Sequence, residues 1–165
     1  MGYRDRTYVI FDGDNDQWAY RYMRGWKNND RIDFDFEDAH DLFPLTYRAQ
    51  DETYIKSKLR ERFKYASQVI VLIGESTKYL YKYVRWELEV ALDLGLPIIA
   101  VNLNNRRSED INLCPAILRN QDVVHISFKM RIIKHALDDF PPFIRNSKKR
   151  ETWHYGDQVY NNIGL

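Results

Sequence analysis

Glu87 is the residue of this sequence whose type and position most directly suggest chemistry. It lies in residues 82–92, a segment that predicts a helix closed by Gly95. At about 100° per residue, Glu87 falls between Ala91 and Leu94, inside a broad apolar arc. A bare carboxylate is costly to bury, so a glutamate there needs a partner, a cleft or a polar ligand.

A second interpretation of Glu87 remains open from the helix alone. A glutamate at the rim of an apolar stripe can extend toward solvent, where Arg85 or Lys82 would pair with it loosely. Such a glutamate would have no chemical role. The elements that surround the helix therefore have to decide between the two interpretations.

Short apolar runs separated by helical patterns surround this helix. Most of the runs are nearly continuous and rich in β-branched residues, which is typical of strands buried on both faces of a parallel sheet. The alternation predicts an α/β fold, a doubly wound five-stranded parallel sheet with helices on both faces. The strands are predicted at residues 7–11, 32–36, 68–73, 96–103 and 122–128, with the alternating run 32–36 at an edge.

The ends of these strands indicate where a ligand could bind. In open α/β sheets, ligands bind outside the carboxyl ends of the strands, where the strand order reverses. Residues 12–16 follow the first strand, residues 74–76 follow the third, and the acidic stretch 37–41 follows the second. The first turns of the Glu87 helix can face the same rim. A structural alternative for Asp16 is a cap on the helix that follows it.

Several familiar ligand sites are not supported by the spacing. Asp12, Asp14 and Asp16 begin like a calcium loop, but Gln17 and Met23 stand where that loop needs glycine and glutamate. No G-x-G-x-x-G run and no Walker loop is present, and the four histidines show no metal-ligand spacing. We therefore predict no metal and no bound cofactor. A response-regulator receiver needs a phospho-accepting aspartate after the third strand, and the sequence has none there.

Composition limits the class of protein. The 165 residues suffice for one domain with a substantial core. Lys and Arg number 25 against 24 Asp and Glu, a balance that disfavours a dedicated nucleic-acid binder. The single Cys114 excludes an internal disulfide and suits a reducing compartment. No apolar run approaches the roughly 20 residues that span a bilayer, and residues 1–6 lack a signal-peptide core. We expect a cytoplasmic protein with neither a membrane nor a nucleic acid as partner.

The pattern changes near the C-terminus. Pro141 and Pro142 are predicted to end the last helix, which gives an α/β domain over residues 1–140 and a tail over residues 141–165. Aromatic residues in this tail predict that it packs back onto the domain. The chain holds 12 Tyr and 4 Trp, which fits ordinary packing or, alternatively, a surface for self-association.

Three segments carry recognisable motifs. Residues 8–16 resemble an F-x-S-[FY]-x-x-x-D opening, with Phe11-Asp12 in place of the S-[FY] pair. Residues 69–77 resemble V-x-V-L-I-G-x-x-T. Residues 83–101 resemble W-V-x-x-E-[IL] followed by a G-x-x-I-I-x-[IV] strand, with Tyr83 in place of the leading Trp. Over residues 7–103 the sequence thus resembles the flavodoxin-like TIR-like domains of the bacterial Thoeris antiphage defence system.

The resemblance implies a function and a site. In NAD-cleaving TIR domains the glutamate of the third motif is catalytic, and it matches Glu87. NAD would be the substrate rather than a cofactor, and the rim residues Phe11, Asp12, Asp16 and Ser76 are candidates for binding it. The product would be an ADP-ribose-derived signal, cyclic or conjugated, that a downstream effector protein senses. The alternative is a non-enzymatic TIR-like module that acts by assembly, because fold alone does not settle activity.

The resemblance also implies self-association. TIR sites of this type are often completed by a loop from a neighbouring copy. The candidate loop is residues 37–51, with Phe43, Pro44 and Tyr47, because this segment is long for a connection from a strand to a helix.

Overall fold

Continuous apolar strands form the centre of the molecule. The computed structural model describes residues 6–38, 51–147 and 149–165. Every residue of the three central strands is buried, as expected for a sheet covered on both faces. The strands are β1 (Arg6–Ile10), β2 (Glu37–Asp38), β3 (Gln68–Ile73), β4 (Ile98–Asn102), β5 (Val123–Ser127) and β6 (Thr152–His154).

All neighbouring strands run parallel, in the order β2-β1-β3-β4-β5-β6. This order is the flavodoxin-like one, extended by β6, and it confirms the predicted doubly wound α/β fold. The chain moves to one side of β1 to form β2 and to the other side to form β3. The strand order therefore reverses at β1 and β3, and a crevice opens beyond their carboxyl ends.

Helices cover both faces of the sheet. Helices α1, α4 and α5 pack on one face, where Met23, Leu137 and Tyr160 are fully buried. Helices α2 and α3 pack on the other, where Ile55 and Leu88 are fully buried. The helices are α1 (Gln17–Asn28), α2 (Glu52–Phe63), α3 (Tyr83–Asp93), α4 (Met130–Arg145) and α5 (Asp157–Asn162), with 3₁₀ turns at Thr77–Tyr79 and Ala116–Leu118.

The apolar face of α3 is rotated slightly from the predicted one. Val84, Leu88 and Ala91 recur at helical spacing and are buried against the sheet. Leu94 was predicted to share this face, but it follows the last helical residue and is 43% exposed. Glu87 is only 8% exposed, so it lies inside the apolar face as predicted.

Two sequence-based boundaries were wrong. The edge strand is not residues 32–36 but the two-residue β2, and Phe34 and Phe36 are buried outside any strand. The last helix does not stop at Pro141 and Pro142 but runs to Arg145. The two prolines occupy its final turns, where burial of neighbouring apolar side chains outweighs the lost backbone hydrogen bonds.

The C-terminal residues pack on the sheet. β6 pairs in parallel with β5 and forms the sixth strand, which the sequence did not predict. The Trp153 indole donates a hydrogen bond to Asp122 across 3.2 Å. The fully buried Tyr160 hydroxyl accepts one from the backbone N–H of Ser127, also at 3.2 Å. Among the described residues, no helix has the length and apolar character needed to cross a bilayer.

Candidate functional site

Glu87 stands at the meeting point of three elements. Helix α3 aims its carboxylate at the Tyr8 hydroxyl of β1, and the two groups are hydrogen-bonded. Arg62 of α2 donates a hydrogen bond to the same hydroxyl across 3.0 Å. Oε2 of Glu87 is buried and has no hydrogen-bond partner among the described residues. One carboxylate oxygen therefore remains available for a ligand.

The surroundings of Glu87 change its acidity. Burial, the largest effect, raises the pKa of this carboxyl from its usual 4.5 to about 7. The hydrogen bond from Tyr8 and the positive charge of Arg62 both lower the pKa and so limit the rise. The carboxyl is therefore poised to change charge near neutral pH. Strongly shifted carboxyls in clefts are characteristic of functional sites, although structural ion pairs also produce them.

A cleft of about 500 Å³ opens directly beside Glu87. This volume lies within the range of small-molecule binding pockets. Phe11, Asp12 and Gly13 at the end of β1 form one wall. The opposite wall is the segment that leads into α3, and it carries three exposed tyrosines: Tyr79, Tyr81 and Tyr83.

Phe11 and Asp12 border this cleft, but the Asp12 carboxylate is already engaged. It accepts hydrogen bonds from the backbone N–H groups of Asp14 and Asn15, at 3.0 and 3.3 Å. The Asn15 side-chain amide donates a third, at 2.7 Å. Asp12 is 1% exposed, so its carboxylate chiefly holds the loop after β1 in shape.

Asp16 and Ser76 do not border the Glu87 cleft. They line a second cleft of about 370 Å³, between the β1 loop and the ends of β3 and β4. Asp16 precedes α1 but makes no side-chain cap, so the capping alternative was wrong. Its carboxylate instead accepts a hydrogen bond from the Thr77 hydroxyl at 3.4 Å, and that hydroxyl accepts one from the Gly74 N–H at 2.9 Å. Burial, followed by the nearby Asp12 charge, raises the pKa of Asp16.

Glu89 provides a contrast on the same helix. It lies two residues after Glu87 but faces outward, where it forms ion pairs with Arg85 and Lys56. The hydrogen bonds from Lys56 and Arg85 lower its pKa despite an opposing effect of partial burial. The proposed loose pairing of Arg85 with Glu87 is thus replaced by a pairing with Glu89. Two neighbouring glutamates differ in charge behaviour because the helix turns them to different environments.

Comparison with known families agrees with this architecture. A family model described as Thoeris protein ThsB, TIR-like domain, matches residues 8–108, more than half of the chain. The chain belongs to this TIR-like family. The match covers β1 through the loop after β4, and therefore contains Tyr8, Arg62 and Glu87. No curated protein matches the sequence.

Most of the shared loop predicted at residues 37–51 in this TIR-like domain, including Phe43, Pro44 and Tyr47, falls in residues 39–50, outside the described residues, whereas Glu37 and Asp38 form β2. The described chain resumes at Asp51, which caps α2 by accepting hydrogen bonds from the N–H groups of Thr53 and Tyr54. Helix α2 in turn carries Arg62 to Tyr8. The described side chains that could gather around a metal ion lie elsewhere, beside β5.

Sequence reasoning missed Tyr8 and Arg62. A signal for Arg62 was present, because it follows Ile55 by seven residues and Leu59 by three, on the apolar stripe of α2. An arginine at such a position raises the same question as Glu87 on α3. Tyr8 carried a weaker signal, since a tyrosine in a buried strand is common without any role.

Proposed function

We propose that this TIR-like domain cleaves NAD and that Glu87 is the catalytic carboxylate. The observation that carries the proposal is the position of Glu87: it is buried at the side of a cleft large enough for a small ligand, with Oε2 unpartnered among the described residues. Family membership supports the same assignment, because the family match includes Glu87.

The chemistry requires one anion rather than an acid and base pair. The bond between the nicotinamide nitrogen and the ribose breaks, and both of its electrons stay with the nitrogen. Nicotinamide therefore leaves as a neutral base and needs no proton. The positive charge moves to the ribose, where a positioned carboxylate stabilises the oxocarbenium-like centre. A cationic substrate also favours the ionised form of Glu87, whose pKa in the empty site is about 7.

The tyrosine wall of the cleft supports a substrate with flat aromatic rings. Tyr79, Tyr81 and Tyr83 are 59%, 67% and 41% exposed and line the cleft on one side. Phe11, on the opposite wall, stacks on Tyr20 with ring centroids 4.8 Å apart. Adenine and nicotinamide rings can stack on such side chains.

The fate of the ribosyl cation determines the product. Attack by water gives ADP-ribose, whereas attack by the adenine ring or a second nucleophile gives a cyclic or conjugated nucleotide. We propose that this product is the signal that a separate effector protein senses in antiphage defence. We further propose that the domain self-associates, with residues 37–51 of one copy completing the site of another.

The deciding experiment compares two glutamates on one helix. Wild type, Glu87→Gln and Glu89→Gln are incubated with NAD at high protein concentration, and nicotinamide and nucleotide products are read by mass spectrometry. Glu87→Gln should abolish nicotinamide release while Glu89→Gln largely keeps it, with circular dichroism showing that all three are folded. Nicotinamide release by folded Glu87→Gln at the wild-type rate contradicts the assignment.

An assembly module without catalysis is the alternative function. The exposed aromatic side chains Trp18 and Tyr22, 46% and 60% exposed on α1, favour a surface that binds another protein. Light scattering on the same samples separates the two functions. Self-association with no NAD loss, even with extract of infected cells added, supports the assembly module.

A further inference from the structure

A buried histidine of β5 lacks a hydrogen-bond partner in the part of the chain that the structure describes. His125 is 0% exposed, and neither Nδ1 nor Nε2 makes a hydrogen bond with any described residue. A neutral imidazole carries one N–H donor and one nitrogen acceptor, and burying both without partners is costly. This arrangement calls for a ligand of the ring.

Two further ligand-type side chains face His125. The Cys114 thiol, 1% exposed, and the Glu109 carboxylate each place one atom so that the three candidate ligand atoms lie within 4.8 Å of one another. Tetrahedral zinc, with bonds of about 2.0–2.3 Å, keeps its ligand atoms roughly 3.3–3.8 Å apart. Separations of at most 4.8 Å exceed this spacing by no more than about 1.5 Å, a difference that adjustment of the three side chains can close.

We propose that Glu109, Cys114 and His125 form a binding site for a divalent metal of the zinc class. Thiolate, imidazole and carboxylate are the ligands that Zn²⁺ takes in proteins. Coordination to the metal would deprotonate the Cys114 thiol. It would also give one nitrogen of His125 the partner that it lacks.

Side-chain hydrogen bonds fix the shape of the connection between β4 and β5, which carries Glu109 and Cys114. Asn102, at the end of β4, donates hydrogen bonds from its side chain to the carbonyls of Arg106 and Ser108, at 3.1 and 2.9 Å. Asp110 accepts from the Asn104 amide at 2.9 Å and from the N–H groups of Asn112 and Leu113, at 3.0 and 3.3 Å. Glu109 and Cys114 thus sit on a loop whose shape is fixed independently of any metal.

The role of this site is structural and separate from the Glu87 cleft. β5 lies three strands from β1, which corresponds to about 14 Å at about 4.8 Å per strand. Glu109 and Cys114 lie in the β4–β5 connection and His125 lies in β5, so a bound metal would link the connection to the sheet. Partial exposure of Glu109 leaves a path for the ion and for a water as fourth ligand.

Metal titration of the tag-free protein tests this proposal. The protein is stripped with a chelator, and Zn²⁺ or Co²⁺ is added while bound metal and the thermal midpoint are measured. We expect one ion per chain, a higher midpoint, and a near-ultraviolet thiolate band in the cobalt form. Cys114→Ser should remove that band, and Cys114→Ser and Glu109→Gln should each weaken binding by about tenfold or more. His135→Gln, on α4 against Tyr155, is the matched control and should bind normally.

Two outcomes overturn the proposal. One is a folded wild type that takes up no Zn²⁺ or Co²⁺ at micromolar concentrations. The other is unchanged affinity in both Cys114→Ser and Glu109→Gln. The test uses these two variants and not a substitution of the fully buried His125, because Glu109 is partly exposed and serine is close to cysteine in size.

Discussion

The Tyr8 hydroxyl hydrogen-bonds to the Glu87 carboxylate, and so ties β1 to α3 beside the candidate cleft. The same hydroxyl accepts a hydrogen bond from Arg62, which is itself 7% exposed. The Tyr8 hydroxyl can thus donate its single hydrogen bond to Glu87, while its oxygen accepts the hydrogen bond from Arg62. Burial thus raises the pKa of Glu87, while two residues that do not border the cleft, Tyr8 and Arg62, limit that rise.

Removing the Tyr8 hydroxyl should shift the pH dependence of NAD cleavage. The hydrogen bond favours ionised Glu87, so Tyr8→Phe raises the pKa of this carboxyl above the wild-type value of about 7. The acid limb of the kcat/KM profile should then move to higher pH. The exposed Tyr65→Phe is the control and should leave the profile in place. An unmoved limb in Tyr8→Phe means that this hydrogen bond does not set the charge of Glu87.

Glu87→Gln should become the more stable protein as the pH rises. The folded pKa of about 7 lies above the unfolded value of 4.5, so between them the folded wild type binds more protons. Glu87 therefore makes its full contribution to wild-type stability below pH 4.5, and this contribution is lost as the pH rises through 7. Relative to wild type, Glu87→Gln should gain about 3 kcal/mol in the free energy of unfolding between pH 4.5 and pH 8.5.

Urea unfolding at a series of pH values measures this difference. Glu89→Gln should show the opposite trend, because the folded pKa of Glu89 is lowered and its charge stabilises the folded state above the unfolded pKa. A constant difference between Glu87→Gln and wild type across the series would falsify the raised pKa.

Tyr81→Ala should weaken substrate binding more than it slows chemistry. Tyr81 is 67% exposed and lines the cleft, and loss of one stacked base costs about 1–3 kcal/mol. We expect KM for NAD to rise about 5- to 100-fold with a smaller change in kcat. Tyr65→Ala, which removes a similarly exposed tyrosine outside the cleft, should keep the wild-type KM. Equal KM values for the two variants would remove the stacking role.

The face of α3 that packs on the sheet can be checked by stability. Leu88 is fully buried, so Leu88→Ala should lower the free energy of unfolding by about 2–5 kcal/mol. Leu94→Ala, at a position 43% exposed, should change it by no more than about 0.5 kcal/mol. Urea unfolding at a single pH distinguishes them. A larger loss in Leu94→Ala than in Leu88→Ala would mean that α3 is rotated differently.

Gly74 leaves room for the Asp16 carboxylate at the end of β3. A Cβ on residue 74 would lie 2.7 Å from the carboxyl carbon of Asp16, which is too close for contact. Gly74→Ala should therefore cost about 1–3 kcal/mol by displacing Asp16 from Thr77. Gly13→Ala is the control, because a Cβ there meets nothing within 4 Å. Adding Asp16→Ala to Gly74→Ala should cost less than the sum of the single changes, as measured in a double-mutant cycle.

The strands and Glu87 could be predicted because their signals are local. β3 has the predicted bounds, since a continuous run of buried residues has no competing interpretation. Helical spacing placed Glu87 inside the apolar arc, and its burial in the structure excludes the alternative in which it extends toward solvent. Arg62 and Tyr8 could not be linked to Glu87, because their contact joins residues 54 positions apart.

Other features depend on competing interactions that sequence does not rank. The sequence did not show that the carboxylate of Asp12, a candidate for substrate binding, accepts three hydrogen bonds from donors of its own loop. Pro141 was predicted to stop α4, but burial of the helix end prevailed. β6 has three residues, none of them fully buried, and so lacks the apolar run that marks β1, β3, β4 and β5.

The parallel pairing of β6 with β5 covers one edge of the central sheet. An uncovered strand edge is a template on which another chain can extend the sheet, and this leads to aggregation. The three residues of β6 pair with the outer edge of β5. At the opposite side of the sheet, the edge strand β2 has only two residues. Sheet extension between copies is thereby restricted at both sides. The proposed self-association would then use helix and loop surfaces, and cleavage of the chain before Thr152 would expose the edge of β5 to aggregation.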